Sequence, residues 1–137
     1  MGVFHANGRA LLWGIGVFLG IYVLHVILLP QLVGQEAATS DNQGILYAIN
    51  QFLGLSTCLV SGFVAAKVAG HHGFVHGGIV GAVSTILTAL LAMLWAILTG
   101  AKFMGLATMP FWLVINGFLC AFAGLIATNM VEDEGPE

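Results

Sequence analysis

Between the two ends of this chain, the ionisable side chains gather at one place: Lys67 with His71, His72 and His76. His72 and His76 are spaced i, i+4, which stacks two imidazoles on one turn of a helix, with His71 adjacent. Such a group could hold a metal or sense protons. Zinc takes about four ligands, usually including Cys or a carboxylate, and no Cys, Asp or Glu is near these histidines in sequence. The plainer reading is a polar turn between two apolar segments. His25 is the second site of interest, because it stands alone inside a long apolar run. A histidine there could ligate haem or a chlorophyll-type magnesium, or it could hydrogen-bond locally near the membrane interface. Cys58 and Cys120 also fall in apolar runs. They read as small hydrophobes, a disulfide or metal site being the alternative. There is no nucleophile–base pair, phosphate-binding loop or pair of carboxylates, so no enzyme is expected.

The elements that must position these groups are set by composition. Of 137 residues, 59% are hydrophobic and 7% charged, and the mean hydropathy is +1.02. Soluble domains carry about 25% charged residues, so this chain is expected in a bilayer. The net charge of −3 sits mostly in the tail, at Glu132, Asp133, Glu134 and Glu137. Three basic residues leave no footprint for nucleic acid and no patch for anionic lipid.

Four apolar runs, near 10–30, 44–66, 77–99 and 110–130, are long enough to cross about 30 Å of hydrocarbon. All nine Asp, Glu, Lys and Arg residues lie outside them, as the penalty for charge in lipid requires. The expectation is an all-α, integral membrane four-helix bundle of antiparallel spans, forming one domain over 1–137 with an acidic tail at 131–137. The first run, long for a signal sequence and without a good cleavage site after it, is expected to be a retained span. Pro30 closes the first helix, Ser40 and Gln43 form a capping box for the second, and Pro110 suits the first turn of the fourth. Arg9 and Lys67 fall on one side and Lys102 on the other, which points to cytoplasmic termini. Tyr47, Trp95 and Trp112 then mark the outer interface and Trp13 the inner one.

Three helices repeat small or polar residues at offsets 0, 4, 7 and 11. The sets are Asn50, Gly54, Thr57, Ser61; Gly77, Gly81, Ser84, Thr88; and Gly117, Ala121, Gly124, Thr128. These offsets keep to one helical face. Gly62 and Gly73 extend the pattern at the hairpin, and Gly16 with Gly20 is a shorter version on helix 1. Small faces let membrane helices approach closely, so Gly62, Gly73, Gly77, Gly81, Ser84, Gly117, Ala121 and Gly124 are expected to pack helices together. The same polar residues could instead line a narrow lumen, with Asn50, Thr57, Ser61, Ser84, Thr88 and Asn116 as its wall. Ile49-Asn50-Gln51-Phe52-Leu53 also echoes Ile115-Asn116-Gly117-Phe118-Leu119, a pattern that would fit a two-plus-two helix duplication.

The segment from Gly62 to Gly81 resembles the central hairpin of the YrzE-like small bacterial membrane proteins, through Gly62, Ala65, Ala66, Lys67, Gly73, His76, Gly77 and Gly81. That resemblance implies four helices in a bacterial cytoplasmic membrane and lends no activity. The small multidrug exporters share the length and helix number, but they depend on a Glu in their first helix that this chain lacks. The functional expectation is a structural or accessory subunit that packs against itself or other membrane subunits. The alternatives are an oligomeric channel or facilitator for a small solute or ion, and a pigment- or haem-binding subunit using His25. No cofactor is expected under the first reading.

Overall fold

Gly70 and His72 make the central turn. Both take left-handed backbone angles, φ 73° and 49°, a region that glycine enters freely and other residues seldom do. His72 is held there because its carbonyl accepts from the backbone N–H groups of Val75 (3.0 Å) and His76 (3.1 Å). The chain therefore reverses within three residues. The connection expected around Gly70 to His76 is shorter than that: the second helix ends at Ala69 and the third already begins at Gly73.

A computed structural model describes residues 6–28, 43–100 and 107–132. It contains α1 (Gly8–Val23), continued by one π-helical turn (Leu24–Leu28), α2 (Gln43–Ala69), α3 (Gly73–Thr99) and α4 (Met109–Glu132). Among the described residues, four stretches are long and apolar enough to cross a membrane: Gly8–Val26, Ala48–Ala69, Gly73–Thr99 and Met109–Met130. The protein is an all-α, multi-pass integral membrane bundle. Large apolar side chains such as Leu12, Phe52, Leu98 and Val114 point outward, where lipid would cover them. Pro110 is the second residue of α4. Pro30, Ser40, Lys102 and the acidic residues after Glu132 lie outside the described residues.

The α3–α4 seam is the most extensive contact, and α1 and α4 lie on opposite flanks of the α2–α3 hairpin. Glycine sets the closeness of that seam. A Cβ added at Gly77 would collide with the Cys120 carbonyl, one at Gly81 with the Asn116 carbonyl, and those at Gly73 and Gly124 with each other's carbonyls. Gly62 on α2 meets the Cys120 carbonyl from the other side. These approaches place Cα–H groups against backbone oxygens, a weak but repeated attraction. Ala121 is buried in the same seam, and Gly117 lies in ordinary contact with Gly78.

Helix 1 differs from expectation. A Cβ at Gly16 or Gly20 would meet nothing, whereas one at Gly14 would lie 2.7 Å from Val80 and 2.8 Å from Ala65. The face of α1 that meets the hairpin is therefore Ala10, Gly14 and Phe18, all buried. Two glycines four apart mark a small face in sequence. They do not say which face of a short helix turns inward.

The N-terminus of α1 is tied down as well. Asn7 caps it, with Oδ1 accepting from the N–H groups of Arg9 (3.1 Å) and Ala10 (3.3 Å). The Asn7 backbone N–H donates to His76 Nε2 (3.0 Å). Because a backbone N–H can only donate, Nε2 is the acceptor, and Nδ1 is the nitrogen that donates to the His72 carbonyl (3.1 Å).

Replacing Gly77 by Leu should destabilise the protein by about 1–3 kcal/mol or more, because the obstacle is backbone rather than a movable side chain. Gly16→Leu should leave stability within about 0.5 kcal/mol of wild type. Thermal unfolding in detergent compares the two, and equal stability would refute the glycine seam.

Candidate functional site

The three hairpin histidines do not act as one unit. His71 and His72 are exposed in the turn, with ring centroids 5.1 Å apart. His76, expected among the turn residues, is instead fully buried on the first turn of α3 and clamps α1. The rings of His71 and His76 meet edge-on at 5.8 Å. No group of three His, Cys, Asp or Glu side chains among the described residues is placed to hold a metal ion. Lys67 leans back over the Phe63 ring at 5.9 Å, one turn earlier on α2.

The largest set of polar side chains around open space lies at the other end of the bundle. A cavity of about 550 Å³ opens between the C-terminal part of α1, the N-terminal half of α2, the C-terminal half of α3 and the start of α4. It begins where the glycine seam ends, beyond Gly81. Its walls include Asn50, Thr57, Thr88 and Asn116 from the expected lumen set, together with His25. Ser61 and Ser84 are not on it. Ser61 is fully buried, donating to the Cys58 carbonyl (3.1 Å) beside the Cys120 thiol (3.6 Å). Ser84 is also fully buried, and its hydroxyl has no hydrogen-bond partner among the described residues, so it serves the seam as a small residue. Gly54, expected in the packing stripe, faces open space on the cavity wall.

A polar link spans three helices at the cavity wall. Thr85 Oγ1 donates to the Gly81 carbonyl at 2.7 Å, so it must accept from Asn116 Nδ2 at 3.0 Å. That fixes the orientation of the amide. Asn116 Oδ1 then accepts from the Cys58 thiol at 3.3 Å. Cys58 and Cys120 are free, buried thiols packed with Phe18. Thr85 escaped the sequence reading because it sits one position beyond the small-residue stripe, at Ser84. Its spacing of three from Thr88 was the available signal.

His25 sits in the π-helical turn that follows α1, and it is 6% exposed. Its Nδ1 lies 2.8 Å from the Ile21 carbonyl. That oxygen can only accept, so Nδ1 carries the proton and Nε2 keeps a lone pair on a ring that lines the cavity. This is the arrangement usual for a ligating histidine. Single π turns occur often at functional sites, and nothing in the sequence marked this one. Tyr22, one turn earlier, meets the His25 ring edge-on at 5.7 Å. Both halves of the Ile-Asn echo, Asn50 and Asn116, reach the same cavity.

If the link is real, Asn116→Ala and Thr85→Val should be non-additive. A double-mutant cycle read by unfolding in detergent should give a coupling of about 0.6 kcal/mol, up to about 1.7. Full additivity would show that the two side chains do not interact.

No known protein family matches the chain, and no curated protein or solved structure is significantly similar to it. The likeness to the YrzE-like proteins therefore rests on the hairpin residues alone.

Proposed function

We propose that this protein is a small membrane binding protein that holds an uncharged small molecule in the cavity between its four helices. The observation that carries this reading is the cavity itself. Its volume of about 550 Å³ lies within the range of pockets for small organic ligands. Its walls combine aromatic rings (Phe18, Tyr22, Trp112) with polar groups and, among the described residues, hold no Lys, Arg, Asp or Glu.

The small-residue faces that motivated an accessory, partner-packing role are occupied within the chain, Gly73, Gly77 and Gly81 meeting α4. They therefore carry no argument for a partner. The outward apolar side chains would suit either lipid or a neighbouring subunit. A pocket is favoured over a through-passage because the polar lining stops at the close-packed seam. With the termini cytoplasmic, as Arg9 and Lys67 imply, the cavity belongs to the outer half of a bacterial cytoplasmic membrane.

The test is native mass spectrometry of the protein drawn from its own membranes in mild detergent. Wild type should retain a bound small molecule. Gly54→Leu should lose it while keeping its melting temperature, because a side chain at Gly54 enters open space on the cavity wall. Identical bound species in both proteins would overturn the reading.

A further inference from the structure

We propose that the ligand of this cavity is a neutral hydroxylated aromatic molecule, of the phenol or hydroquinone class, held by hydrogen bonds that it donates. The inference rests on the cavity being a ligand site, and it follows from an account of where the protons of the wall are committed.

His25 gives its ring proton to the Ile21 carbonyl (2.8 Å). Thr57 gives its hydroxyl proton to the Leu53 carbonyl (2.8 Å), and Thr88 to that of Thr85 (3.0 Å). Thr85 donates to Gly81 and Cys58 to Asn116 Oδ1. All five side chains line the cavity, and His25, Thr57, Thr85 and Thr88 are each more than nine-tenths buried. A hydroxyl has one proton and two lone pairs, and an imidazole with its proton on Nδ1 has only a lone pair at Nε2. The part of the wall built by His25, Thr57, Thr85 and Thr88 therefore offers acceptors.

The other polar groups on the described lining sit apart from this acceptor set: the Tyr22 and Thr108 hydroxyls and the amides of Asn50 and Gln51 can donate or accept, while the Trp112 indole N–H and the second amide proton of Asn116 are donors only. At His25, Thr57 and Thr88, an occupant that brings acceptors alone, such as a quinone or an ether, would set lone pairs against lone pairs. An occupant that brings an O–H meets Nε2 of His25 and the free lone pairs of Thr57 and Thr88. None of the described lining residues carries a charge that would stabilise an ionic head group. Phe18, Tyr22 and Trp112 provide ring faces and edges for an aromatic body. Such a molecule also dissolves in the bilayer through which this cavity would be reached.

Isothermal titration of the full-length protein in detergent tests the inference. The probes are a short-chain alkyl hydroquinone, the matching benzoquinone and the hydroquinone dimethyl ether. The hydroquinone should bind at least about tenfold more tightly than either analogue, since a site built around a hydroxyl rejects compounds lacking it. His25→Phe and Thr88→Val should each reduce that preference, and Gly54→Leu should abolish binding of all three. Circular dichroism and melting temperature identify any variant that fails to fold. Equal or tighter binding of the quinone or ether, still blocked by Gly54→Leu, would overturn the donor preference while leaving the cavity as a ligand site. If no probe binds while the native small molecule is retained, the aromatic class is refuted. If neither binds, the cavity reading fails as well.

Discussion

The approach of the α3 and α4 backbones governs the rest of this structure. Water gives helices inside a bilayer no reason to hide leucine from one another, so cohesion has to come from close contact and from polar groups. Gly73, Gly77, Gly81 and Gly124 remove the side chains that would hold the two helices apart. Once that seam is fixed, Gly62 brings α2 onto the same Cys120 carbonyl, and Gly14 brings α1 onto Val80 and Ala65. Most large side chains then face outward, Phe18 being an exception. Beyond Gly81 the seam has no further glycine contact, and there the helices enclose space instead of closing on each other.

Much of this was legible because lipid is a demanding solvent. Charged residues avoid hydrocarbon, so the four spans can be counted from the nine charged positions and the runs between them. The glycine stripe on α3 and its partner on α4 follow from helical periodicity, which is a local property. Facing is different. Gly16 and Gly20 look like Gly77 and Gly81 on paper, yet Gly14 is the residue that packs, because the inward side of α1 depends on partners more than 45 positions away. For the same reason Gly54 reads as a packing residue and proves to be a cavity wall. His76 reads as a turn residue because glycines surround it, and it is buried only because α1 lies across it.

The candidate site was half visible. His25, Asn50, Thr57, Thr88 and Asn116 can be picked out as polar residues in apolar runs, and all five reach the cavity. The missing half is the pattern of commitments among them. Each threonine hydroxyl turns back to a carbonyl of its own helix, a habit of Ser and Thr in apolar surroundings, and Asn116 is held between Thr85 and Cys58. Sequence gives the inventory of donors and acceptors. Only the packed structure shows which of them are already taken.

The bond between the Asn7 backbone and His76 also bears on how the protein is made. Its partners are 69 positions apart in the chain. When the first helix emerges from the ribosome and enters the bilayer, the imidazole that will hold its start has not yet been synthesised. That end of α1 must wait for the α2–α3 hairpin to arrive before it has a fixed place. The start of α1 is thus secured only after α3 has arrived, although its middle already has α2 to pack against.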